Sequence, residues 1–178
     1  ALPERALEIA FLGSLTERRE KFFAAHAPFF SERRAHLRFV PLHFAKTAAT
    51  RSYLSTDRRN ALLADTQILL NVHYSEQHYF EWHRMLVGLA NGCCIITEPC
   101  VGYGPLVPGE HFVMVEKENL IAASGLYLLH PDASAPIARP ARAFVERHPR
   151  PAQTSHLFPR HPDTPRRSTP RAPAPRPC

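Results

Sequence analysis

Five short, largely apolar runs recur along the chain with stretches of helical spacing between them: ALEIAFLG (residues 6–13), HLRFVPL (36–42), QILLNVHYS (67–75), CCIIT (93–97) and HFVMVE (111–116). A strand with one wet face alternates apolar and polar residues, whereas a strand covered on both faces reads as a continuous apolar run. Runs of the second kind separated by helices of about three turns call for repeated βαβ units, in which crossover helices cover both faces of a parallel sheet. The expected fold is therefore α/β, a Rossmann-like doubly wound parallel sheet. Ligands of such sheets bind beyond the carboxyl ends of the strands, which directs attention to residues 13–19, 73–78 and 98–104.

Between the runs, SLTERREKFFAAHAPFFSERR (14–34) reads as one helix capped by Ser14 or Thr16, with Glu17 in its first turn. STDRRNALLADT (55–66) reads as a short helix capped by Ser55, Thr56 or Asp57, and HFAKTAATRSYLS (43–55) as the connection before it. YFEWHRMLVGLANG (79–92) is a helix that stops at Gly92. Its Trp82, Met85, Leu86 and Leu89 form a core face, while Glu81, Arg84, Gly88 and Asn91 fall on another side. ENLIAASGLYLLH (118–130) is a further helix, and APIARPARAFVERH (135–148) a last one, interrupted at Pro140 because proline lacks the interior helical donor.

A chain of 178 residues suits one domain with a substantial core. Its net charge of +6 is unevenly placed, since residues 1–130 carry 13 Lys and Arg against 13 Asp and Glu. The excess, and 12 of the 18 prolines, lie in residues 131–178. Basicity thus belongs to the tail, and specific nucleic-acid binding is not expected of the domain. Residues 1–147 are read as the domain and 148–178 as a Pro- and Arg-rich disordered tail, too poor in large apolar residues to build a core. No apolar run approaches the roughly 18 residues of a membrane span, and the first residues lack the pattern of a secretory signal. Cys93, Cys94, Cys100 and Cys178 form no C-x-x-C pair. Adjacent Cys93 and Cys94 point to opposite faces, as small reduced core residues of a cytoplasmic protein.

Four constellations carry polar chemistry. FLGSLTERR joins Gly13 and Ser14 to a helix N-terminus with Arg18 and Arg19, which suits a phosphate or diphosphate and equally a plain tight turn with solvated arginines. HYSEQHYFEWH spaces His73, His78 and His83 five apart with Glu76 and Glu81 between them; helical ligands sit three or four apart, so no metal site is expected. Arg84, near the start of its helix, either meets a phosphate or pairs with Glu81 or Glu76 at the surface. EPCVGYGPLVPGEHF places Gly102, Tyr103 and Gly104 in a loop able to pass close to a ligand, or simply a loop. No Ser-His-Asp or Cys-His arrangement is recognisable.

Taken in order, FLGSLTERREKFFAAH, LLADTQILLNVHYSE, YFEWHRMLVGLANGCCIITEP and PLVPGEHFVMVEKENLIAASGLYLLHPD resemble the C-terminal half of GT-B glycosyltransferases of the group-1-like family. The resemblance implies a domain that binds a nucleotide-sugar donor as substrate, needs no separate cofactor, and works with an N-terminal acceptor domain; alone it would transfer little or no sugar. It maps the diphosphate to Gly13 and Ser14 with Arg18 or Arg19. Arg84 matches an arginine of the family's helix, and His73 and Glu76 stand at the donor edge. Many relatives carry a ribose-binding glutamate one turn after that arginine, where this chain has Val87. The catalytic base is not identified. The rival reading is a non-catalytic nucleotide-binding or scaffold domain.

Overall fold

The computed structural model describes residues 5–40 and 54–148. In chain order the elements are β1 (Leu7–Ser14), α1 (Glu17–Ala25), α2 (Ala27–Ser31), β2 (Ala35–Val40), α3 (Thr56–Ala64), β3 (Thr66–Asn71), α4 (Trp82–Ala90), β4 (Cys94–Thr97), β5 (Val113–Met114), α5 (Leu120–Leu129) and α6 (Pro131–Arg147). The five strands form one sheet in the order β2-β1-β3-β4-β5, and every pairing is parallel. This is the expected doubly wound α/β architecture.

Alternation along the strands assigns the two layers. Ile9, Phe11, Ile68, Leu70, Cys94 and Ile96 share one core with Phe22, Phe23 and Phe30 of α1 and α2 and Leu120 of α5. Ala10, Leu69 and Ile95 share the other with Leu63 of α3, Met85 and Leu89 of α4 and Phe144 of α6. Cys93 and Cys94 fall in opposite cores as their adjacency implies, and burial pushes both thiols up to about 12. They are buried free cysteines, not nucleophiles.

Chain order reverses between β1 and β3, where one crossover runs to β2 and the next returns to β3. Such a switch point opens a crevice at the carboxyl ends of the two strands. Gly13 and Ser14 end β1 there, and Asn71 ends β3.

Several local expectations are corrected. The helix expected over 14–34 is two: Thr16 caps α1 by accepting from the Arg19 N–H, and the chain restarts at α2, whose Pro28 cannot donate back into α1. The next helix takes Ser55 as its cap, its side chain accepting from the Arg58 N–H. The helix after β3 begins only at Trp82, because Tyr79 and Phe80 are extended and bridge to Val101. α6 runs unbroken through Pro136 and Pro140. The carbonyls those prolines leave without a helical donor belong to Asp132 and Pro136, both exposed residues, where an unpaired carbonyl costs less than in the core. The Pro- and Arg-rich tail from residue 149 and most of the 43–55 connection lie outside the described residues. Among the described residues no helix is long and apolar enough to cross a membrane.

Gly88 lies against the sheet, not on the polar side of α4. A Cβ there would sit 2.5 Å from Leu69 Cδ2 and 3.1 Å from Ile95 Cδ1, so the glycine lets α4 approach β3 and β4. Gly88→Ala should lower stability by about 1 kcal/mol in urea denaturation, overpacking of about 1–3 kcal/mol being partly offset by about 1 kcal/mol of helix propensity. An unchanged midpoint would mean the contact relaxes freely.

Candidate functional site

Three elements meet at the switch point: the end of β1, the end of β3 and the first turn of α4. Arg19 reaches into this junction from the first turn of α1 and is almost wholly buried, at 1% exposure. Its Nε donates to the Val72 carbonyl at 2.9 Å, Nη1 to the Ser14 carbonyl at 3.0 Å, and Nη2 to Glu81 Oε1 at 3.0 Å. Arg84 arrives from α4, where its Nη1 lies 2.8 Å from Glu81 Oε2 and also donates to Asn71 Oδ1. Asn71 is oriented in turn by donating to Thr97 Oγ1 at 2.9 Å. Both guanidiniums lie over the Phe11 ring, with Cζ to centroid distances of 5.3 Å for Arg19 and 5.4 Å for Arg84.

Gly13 is the floor beneath them. A Cβ at that position would lie 2.8 Å from Arg84 Nη2, 2.8 Å from Phe11 Cζ and 3.1 Å from Arg19 Nη1. Any side chain would enter the space where the two cations converge. Burial lowers the pKa of both, that of Arg84 to about 10 despite Glu81 beside it. Both remain charged at neutral pH, yet two guanidiniums share one carboxylate in a place that disfavours charge.

Arg18, one residue earlier, belongs to a different cluster because successive helical residues point about 100° apart. Its guanidinium forks onto both oxygens of buried Glu98, with Nη1 2.8 Å from Oε1, and its Nε lies 2.9 Å from Glu76 Oε1. Glu98 also accepts the backbone N–H of His73 at 2.7 Å. Burial alone would raise the Glu98 pKa; the hydrogen bonds from Arg18 and His73 outweigh it and hold the carboxyl below its usual range. The His73 ring is buried, its Nε2 donating to the Pro99 carbonyl at 3.0 Å while Nδ1 has no partner. His78 stacks edge-on at 5.5 Å, and exposed His83 is among the residues lining the cavity beside Arg84. Among the described residues no group of three or more His, Cys, Asp or Glu could hold a metal ion.

Of the residues expected from sequence, Gly13, Ser14, Arg19 and Arg84 therefore come together; Arg18, His73 and Glu76 form the neighbouring cluster. The loop of Gly102, Tyr103 and Gly104 sits against the start of α4, where the Gly102 carbonyl accepts the Trp82 indole N–H at 2.9 Å and Tyr103 packs on Phe80 and Phe112. Sequence reasoning gave Asn71 no role, placed Glu98 only within the 98–104 edge, and foresaw Glu81 as a partner of Arg84 but not its link to Arg19. The pairings it missed span 13 to 80 residues of chain, and for Asn71 and Glu98 the one available signal was polarity at the end of an apolar strand.

Beside Arg84, a cavity of about 490 Å³ opens between α3 and α4, its apolar lining including Leu12, Leu63 and Val87 and its polar lining Arg59, Glu81, His83 and Arg84. Its size suits a nucleoside-sized group.

The chain matches the model of a family described as glycosyl transferase-like over residues 9–157. Among solved structures it is similar to the C-terminal domain of a glycosyl transferase group 1 family protein (LpcC) from Francisella tularensis. The two are 11% identical with a TM-score of 0.55, over 80% of this chain and 86% of that one, a likeness of fold. A search of curated proteins gives no match.

Proposed function

The chain belongs to the glycosyl transferase-like family, and from that membership we propose that it binds the nucleoside diphosphate of a sugar donor, with the phosphates on Arg19 and Arg84 above Gly13. The observation that carries this reading is the convergence of two guanidiniums, Arg19 buried and Arg84 partly buried, over a residue without a side chain at the switch point of the sheet. The cavity between α3 and α4 continues from Arg84 and takes the nucleoside. Ser14 borders the phosphates, and the Gly102 to Gly104 loop covers the start of α4. Arg18, His73 and Glu76 stand at the edge of the site, where Arg18 holds the backbone around His73 in place.

In glycosyl transfer the bond from the sugar to the diphosphate breaks while an acceptor hydroxyl loses its proton. Arg19 and Arg84 are already oriented by Glu81, Asn71 and two carbonyls, so stabilising the charge on the leaving diphosphate needs little reorganisation. The acceptor and the base that deprotonates it come, in this proposal, from a second domain.

Arg84→Ala tests the reading by calorimetric titration with UDP, GDP, TDP and ADP and with the matching nucleosides. Loss of a charge-assisted hydrogen bond worth about 1.5–3 kcal/mol weakens the preferred diphosphate roughly 10- to 100-fold and leaves the nucleoside unchanged. Equal weakening of both would remove Arg84 from the phosphate, and no binding of any diphosphate at millimolar concentration would overturn the reading.

A further inference from the structure

Glu81 occupies the position that a ligand phosphate needs. Its two oxygens lie 3.0 Å from Arg19 Nη2 and 2.8 Å from Arg84 Nη1, so one carboxylate spans the two guanidiniums. A phosphoryl group presents its oxygens at much the same separation and with more charge. The geometry points to Glu81 as an internal anion that holds the arginine pair in the unliganded chain and is displaced when a phosphoryl group takes the same two guanidiniums. This rests on the phosphate-site reading above and adds a competitor to it, which sets the affinity and favours doubly charged phosphoryl groups over single carboxylates.

Four features fit displacement better than a fixed structural pair. Glu81 is the residue before the first turn of α4, and its side chain makes no capping hydrogen bond, so moving it leaves the helix intact. It is 16% exposed, against 1% for Arg19, and it lines the cavity, which gives the carboxylate a path out of the cluster. Arg19 keeps its bonds to the Val72 and Ser14 carbonyls, and Arg84 its bond to Asn71, without Glu81. The arginines are thus held in place from behind while their anion is free to exchange. Two cations sharing one carboxylate also leave a positive charge that a dianion neutralises more fully.

The test is calorimetric titration of the full chain with inorganic pyrophosphate in wild type, Glu81→Gln and Glu81→Asp. Gln keeps the shape and loses the charge; Asp keeps the charge and is too short to span both arginines. Both variants should bind pyrophosphate at least tenfold more tightly than wild type, about 1.4 kcal/mol. In wild type, the carboxyl carbon resonance of Glu81 should move as pyrophosphate saturates. Affinity unchanged or weakened in both variants, or a Glu81 resonance that stays fixed at saturation, overturns displacement and leaves the phosphate site standing. Absence of pyrophosphate binding in all three proteins, each showing a cooperative melt, overturns the phosphate site itself. Should Gln fail to fold, Asp and the wild-type resonance decide.

Discussion

Arg18→Met will lower the unfolding free energy by about 3–5 kcal/mol near neutral pH and reverse the sign of its dependence on pH in the acid range. The Glu98 side chain is 1% exposed, and Arg18 supplies the fork that neutralises it. In the wild type the folded Glu98 pKa lies below its unfolded value, so the stability it contributes is complete above the unfolded pKa and is lost as pH falls through the folded one. Without Arg18 the His73 N–H alone faces the burial of the charge, and the folded pKa rises above the unfolded value of about 4.3. The variant is then penalised increasingly as pH rises through that shifted pKa. Urea titrations at pH about 4 and about 7 measure this. Arg18→Met combined with Glu98→Gln should recover much of the neutral-pH loss, because no buried charge is left unpaired. If Arg18→Met is as stable as wild type at both pH values, water reaches Glu98 and the pair is a surface one.

The same two residues show what the sequence carried and what it lacked. The sheet was legible because burial on two faces leaves a continuous apolar run, as in residues 68–70 and 94–96, which no surface strand needs. The glycine at the end of β1 read equally as a phosphate turn and as a plain tight turn, and the approach of Arg84 and Arg19 to it joins distant parts of the chain that no local pattern carries. Arg18 and Arg19 looked like one basic pair, since adjacency hides a turn of about 100° that sends one to Glu98 and the other over Gly13. Which acid answers which arginine depends on contacts across 62 and 80 residues, beyond any local pattern. Gly88 was misplaced for a related reason: a helical face is read from side chains, and a glycine contributes none although its closeness to Leu69 is what the packing requires. Pro140 misled in the opposite direction, because α6 continues through it even though proline lacks the helical donor.

Arg19→Met should cost about 3–5 kcal/mol of stability as well as pyrophosphate binding, whereas Arg84→Ala should cost binding with a smaller loss of stability. Arg19 joins the end of β1, the end of β3 and the start of α4, through Ser14, Val72 and Glu81. Removing it leaves two carbonyls and a carboxylate oxygen without donors around a buried space. Arg84 is 14% exposed, and its polar partners among the described residues, Asn71 and Glu81, both retain other partners. Arg19→Lys should not restore stability, since an ammonium on a single stem cannot reach three acceptors arrayed for a planar fork. Thermal melts read alongside pyrophosphate titrations separate the roles. If Arg19→Met loses binding yet melts with wild type, the junction does not depend on the fork, and Arg19 serves the ligand alone. The expected pattern, stability and binding falling together at Arg19 but apart at Arg84, follows from Arg19 tying the ends of β1 and β3 to α4 while also facing the proposed phosphate position.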